Sequence, residues 1–169
     1  MRWELLFADL EARLTAAERA ELDAEIDERA RDERADVALA ARLLAAKGRR
    51  IVLVVRGGTR VAGTLVDGAG TWALVESVTG EALVPLAAVT SVEGLPRVAA
   101  AVGAVDARLR MSTVLRELAE ARVPVIVEVD GDQWRGVIVA VGADHVDLAG
   151  PRGERAVPLA AVLMVRAAP

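Results

Sequence analysis

The spacing of apolar residues changes from a helical period to a strand period after residue 48, and the strand pattern is then stated twice. Near the start, Trp3, Leu6, Phe7, Leu10 and Leu14 follow i, i+3, i+4, i+7 spacing. This predicts a short helix with one apolar stripe. Thr15-Ala16-Ala17-Glu18 reads as a capping box, in which hydroxyl and carboxylate each accept a free backbone N–H. A second helix is expected from Ala16, with Leu22, Ile26, Ala30, Val37, Ala40, Leu43 and Leu44 towards one side. Gly48 is its expected stop, and Lys47, Arg49 and Arg50 complement the negative end of its dipole. Between Asp27 and Asp36 the charges alternate in sign at helical spacing, the pattern of a solvated face held by weak ion pairs.

From Ile51 the pattern becomes β-branched and alternating. Ile51 to Val55, Arg60 to Val66, Trp72 to Val78, Ala82 to Val84 and Val89 to Val92 read as five short strands. Gly57-Gly58, Gly68-Ala69-Gly70 and Gly80-Glu81 supply the turns. Gly63 falls inside the second strand, where a glycine permits a sharp bend. Pro85 has no N–H for a central ladder, so Pro85-Leu86-Ala87-Ala88 is expected to make one helical turn.

The same sequence of events then recurs. Val84-Pro85-Leu86-Ala87-Ala88-Val89 returns unchanged as Val157-Pro158-Leu159-Ala160-Ala161-Val162. Gly63 aligns with Gly136 and Val92 with Val165, with no gap between them, and only the first hairpin differs in length. A repeat of this kind predicts duplicated folding units. Gly94 to Gly103 reads as a linker, and Val105 to Ala121 as a helical stretch with Ser112 as a candidate N-cap. The expected fold is therefore α+β. N-terminal helices (1–48) precede a first five-stranded small barrel (49–95), a helix-containing linker (96–122) and a second such barrel (123–169).

The arrangement resembles the Sm-like proteins, bacterial Hfq included. The resemblance rests on Ile51 to Val55, Gly63-Thr64-Leu65, Trp72 to Val75 and Val84 to Val92, and on the second copy of each. It also fits SH3-like barrels in general. It implies RNA binding by units joined edge to edge. The family's binding residues have no counterpart here: Pro85-Leu86-Ala87 and Pro158-Leu159-Ala160 stand where Hfq-like proteins carry a basic, aromatic and His-containing triplet.

Composition narrows the chemistry. The 169 residues are 54% hydrophobic but only 2% aromatic, so the core must be aliphatic. Trp72 and Trp134 are expected to plug the barrels. A net charge of −4 does not favour a protein built mainly to grip phosphates. The absence of cysteine excludes thiolate metal sites and Cys nucleophiles. His145, beside Asp144 and Asp147, is a poor ligand set with no second histidine and is expected as an exposed turn residue. No serine has a histidine nearby, and neither glycine-rich turn carries the lysine of a phosphate loop. No run of residues reaches the length of a membrane span, and no signal peptide is recognisable, so the cytoplasm is expected.

The reading is a non-enzymatic scaffold without catalytic residues, cofactor, metal or small-molecule substrate. Its expected partner is itself or another protein, met through open strand edges and the Trp3, Leu6, Phe7, Leu10 stripe. The alternative is RNA binding through Arg49, Arg50, Arg60, Arg108, Arg110, Arg116 and Arg122.

Overall fold

Alternate positions of the first β-branched run turn one face inward. Ile51, Leu53 and Val55 are buried, and Val125, Val127 and Val129 repeat them in the second copy. The computed structural model describes Arg19 and residues 38–97, 99 and 110–168. A short helix α1 (Leu39–Leu44) precedes strands β1 (Arg50–Val55), β2 (Arg60–Gly68), β3 (Trp72–Ser77), β4 (Gly80–Pro85) and β5 (Val89–Glu93). Helix α2 (Met111–Glu120) follows, and then β6 (Pro124–Val129), β7 (Asp132–Val141), β8 (His145–Gly150), β9 (Gly153–Pro158) and β10 (Val162–Ala167). All of these lie in one unit spanning Ala38–Pro169.

The strands do not form two separate closed barrels. They make one open, antiparallel ten-stranded sheet in the order β5-β1-β2-β3-β4-β10-β6-β7-β8-β9. The reason lies in the repeated hexapeptide. Pro85 and Pro158 end β4 and β9, and the 3-10 turns Leu86–Ala88 and Leu159–Ala161 redirect the chain. Strand β5 therefore returns to β1 rather than to β4, and β10 returns to β6. The outer edge of β4 is left open by its own half and is taken by β10, which pairs Val165 with Leu83 and Arg166 with Ala82.

Within that sheet the halves agree residue for residue. Val52 faces Glu93 as Ile126 faces Arg166, and Leu65 faces Val75 as Ile138 faces Leu148. The irregularities recur too, between Leu65 and Asp67 and between Ile138 and Ala140. The mid-strand glycines explain the shared bend. A Cβ on Gly63 would run into the Glu76 carbonyl, and one on Gly136 into the Ala149 carbonyl, its counterpart.

Packing interlocks the halves across the β4–β10 seam. Leu163 and Met164 of β10 join the cluster around Leu53, Leu65 and Val84. In exchange, Trp72 and Leu83 of the first half join the cluster around Leu115, Val127 and Leu148. Trp72 is thus buried in the second half's core. Trp134 is half-buried and packs against the edge of the second half's core.

The helices differ from expectation as well. The stripe of Trp3, Leu6, Phe7 and Leu10, and most of the predicted second helix, lie outside the described residues. Arg19, the one described residue before Ala38, is helical and exposed. The predicted stop at Gly48 is a left-handed residue, with φ 77°, four residues after α1 ends. The linker helix starts at Met111 with Arg110 in the N-cap position, so Ser112 is inside the helix and not its cap. Leu115 points into the core and Met111 is buried beside it, which fixes the helix by packing instead of by a side-chain cap.

Candidate functional site

A ten-stranded open sheet has two edges, here β5 and β9. Each has its twin inside the protein: β5 corresponds to β10, and β9 to β4. The twins are paired to one another, so the interior seam shows what each free edge is shaped to meet.

Burial measures the difference. All of Val162, Leu163, Met164 and Val165 on β10 are buried, whereas on β5 Thr90 and Ser91 are exposed and Val89 and Val92 are half-buried. On β4, Ala82, Leu83, Val84 and Pro85 are buried. On β9 only Val157 is buried, and Ala156 and Pro158 are exposed. The free edges are also more polar than their twins. Thr90 and Ser91 replace Leu163 and Met164, and Arg155 replaces Ala82.

Beside each of β4 and β9 lies a depression built from equivalent positions. The one at the interior seam, about 340 Å³, is lined by Val61, Ala62, Thr79 and Ala82 and closed by Met164 and Arg166 of the other half. Its wall is held by Arg166, whose Nη2 lies 3.0 Å from Glu128 Oε1. The one at the free edge, about 450 Å³, has Trp134, Arg135, Arg152 and Arg155 at the equivalent positions, and all its lining residues come from the second half. The Arg155 guanidinium lies 4.7 Å from the centre of the Trp134 ring, a cation–π contact. Trp134 Nε1–H donates to Asp132 Oδ2 at 2.8 Å. That bond, then the Gln133 backbone N–H, holds the Asp132 carboxyl below its ordinary pKa.

The opposite edge ends in an acid. Glu93 ends β5 and accepts from Arg60 Nη2 at 3.1 and 3.2 Å. At the seam between halves, Arg56 Nη1 donates to the Ala87 carbonyl at 3.0 Å and Nη2 to the Ala160 carbonyl at 2.8 Å. Ala87 and Ala160 are matching residues of the two hexapeptides. Arg56 Nε also lies 3.9 Å from Asp130 Oδ2, and Asp130 is the residue that replaces Arg56 in the second copy.

The arginines singled out from sequence are dispersed. Arg49 and Arg50 are exposed at the entrance of β1, and Arg60 is engaged by Glu93. Arg110, Arg116 and Arg122 are exposed on and around α2, and Arg108 lies outside the described residues. The groups that do converge are Trp134, Arg135, Arg152 and Arg155, which the strand pattern alone does not single out. The signal was in the aligned repeats: the second copy carries these four where the first has Val61, Ala62, Thr79 and Ala82.

His145 begins β8, directly after the turn, and its side chain is 42% exposed. Its Nδ1 lies 2.8 Å from Asp144 Oδ1. This hydrogen bond raises the imidazole pKa and lowers that of the carboxyl. Among the described residues no three His, Cys, Asp or Glu side chains stand together as a metal site. No helix among them is long and apolar enough to cross a membrane.

Compared with models of known families, the chain matches none, and no curated protein matches it in sequence.

Proposed function

We propose that the protein is a non-enzymatic scaffold of the cytoplasm that assembles by adding strands to the open edges of its sheet. One observation carries the reading: the edge of β4 is already occupied by β10 within the chain, while the equivalent edges of β9 and β5 are unpaired among the described residues. A strand edge presents a row of backbone donors and acceptors that another chain can complete. The resemblance to Sm-like proteins, whose units join edge to edge, agrees with it. The convergent groups at the β9 edge are arginines, a tryptophan and an aspartate, a set suited to recognition and lacking a nucleophile with its base.

The test is mass in solution as a function of concentration, by sedimentation or light scattering, on the full chain. The expected result is a species heavier than one chain that grows with concentration. A single-chain mass throughout the micromolar range, with no protein partner captured, refutes the scaffold.

RNA binding is the second reading, and the Trp134–Arg155 depression favours it more than the dispersed arginines do. It predicts a gel shift of a labelled RNA that weakens steeply with salt. Absence of a shift at low salt across mixed sequences eliminates it.

A further inference from the structure

We infer that the depression around Trp134 receives the β5 edge of a second copy of this chain, with Arg155 opposite Glu93 of that copy and Ala156 opposite its Val92. This rests on the scaffold reading and gives it a partner, a polarity and a register.

The interior seam is the template. There Arg166 pairs with Ala82 and Val165 with Leu83. The two halves match in register at every strand pair. The residues that correspond to Val165 and Arg166 on the free edge are Val92 and Glu93. Those that correspond to Leu83 and Ala82 are Ala156 and Arg155. Placing β5 of a second copy along β9 in the same way sets an arginine against a glutamate. Nothing in the backbone repeat requires those charges to be opposite.

A second pair of positions agrees. Across the interior seam Arg56 lies near Asp130, its counterpart in the other half. Across a seam between copies, Asp130 of one chain meets Arg56 of the next, again acid against base. The basic depression of Arg135, Arg152 and Arg155, which also holds Asp132, therefore faces Glu93, whose carboxylate would be shared between Arg155 and its own Arg60.

The two seams differ in chemistry. Leu163, Met164 and Val165 make the interior seam apolar and permanent. Thr90, Ser91 and Glu93 against Arg155 make the outer one polar, reversible and sensitive to salt. The pairing is heterologous, head to tail, because the two edges are different surfaces. It gives a ring if the rotation between successive units closes, and a filament if it does not.

The chain has no cysteine, which makes register testable by cross-linking. The full-length variant carrying both Val92→Cys and Ala156→Cys, mixed with oxidised glutathione, is expected to give a ladder of disulfide-linked chains that collapses on reduction. Either cysteine alone is expected to give no ladder. In parallel, Arg155→Glu and Glu93→Arg are each expected to weaken self-association about tenfold or more, and an equimolar mixture of the two to restore it, since each then supplies the other's missing charge. Circular dichroism of each variant confirms the fold, and the cysteine pair provides the independent measurement should a charge reversal unfold the chain. Self-association with no ladder and no response to either charge reversal overturns the proposed pairing while leaving the scaffold standing. A protein that stays a single chain overturns the pairing, and overturns the scaffold as well when no protein partner is captured. An RNA gel shift that Trp134→Ala abolishes, with no ladder, assigns the depression to nucleic acid and overturns the pairing.

Discussion

Arg56 reaches out of the first half of the sheet and donates to the Ala160 carbonyl of the second at 2.8 Å. Its other terminal nitrogen holds the Ala87 carbonyl at 3.0 Å, so one planar guanidinium ties the matching turns of the two repeats together. Arg56→Ala is expected to destabilise the protein by about 1 kcal/mol, the scale of hydrogen bonds lost at a partly exposed site. Arg56→Lys should recover only part of this, since an ammonium lacks the fork that spans two acceptors. Denaturant titration of the three proteins checks the order.

Gly63 and Gly136 occupy the same bend in their respective halves, each against a carbonyl of the neighbouring strand. Gly63→Ala and Gly136→Ala are expected to cost similar amounts, each about 2 kcal/mol or more, because the obstructing atom is backbone and cannot rotate away. Gly70→Ala is the control: nothing lies within 4 Å of its added Cβ, and it should be neutral or stabilising by about 0.4–1 kcal/mol. Thermal melts distinguish the two outcomes.

The two strand tryptophans should respond differently to removal. Trp72 is 3% exposed and sits in the core of the opposite half, so Trp72→Ala should cost about 3–5 kcal/mol. Trp134 is half-buried at the free edge, packed on the second half's core and under Arg155, and Trp134→Ala should cost less than Trp72→Ala, about 1–2 kcal/mol. Equilibrium unfolding of each variant gives the comparison.

His145 is the only histidine, so its titration is a single resolved signal in NMR. The Asp144 hydrogen bond raises its pKa above the ordinary value of about 6.5. A pKa raised by folding contributes stability that is fully present below the ordinary value and is lost as pH rises through the folded one. Asp144 titrates in the opposite sense. Its pKa is lowered, so its share is present above the ordinary carboxyl range and lost as pH falls through the depressed value. The pair is therefore strongest between the two ordinary pKa values. Asp144→Asn should bring the His145 titration back towards the ordinary value and remove the bonus at mildly acidic pH.

Much of this fold was legible because the chain says it twice. Alternation in Ile51 to Val55 and in Val125 to Val129, with a glycine inside the strand that follows each, placed the strands near their observed positions. What could not be read was which edge meets which. The Val84-to-Val89 and Val157-to-Val162 hexapeptides look alike, and nothing local to them shows that β4 would be closed by β10 and β9 by nothing in its own half. That outcome depends on residues far apart in sequence, such as Leu83 facing Val165. The site was hidden for a related reason. The arginines that attract notice in the sequence are spread over strand ends and the surroundings of α2, whereas Trp134, Arg152 and Arg155 converge only once β7, β8 and β9 lie side by side. Ser112 misled because a serine before an apolar run resembles a cap, although burial of Met111 had already fixed the start of the helix one residue earlier.

Proline keeps the ladder at the open border short. Strand β9 runs only from Gly153 to Pro158 before the chain coils away, and β5 only from Val89 to Glu93. So brief a ladder supplies only a few backbone bonds to each junction, whether successive copies close a ring or continue as a filament. A newcomer is held for a handful of backbone bonds and must earn the remainder with side chains that match, so the border sorts its visitors by fit.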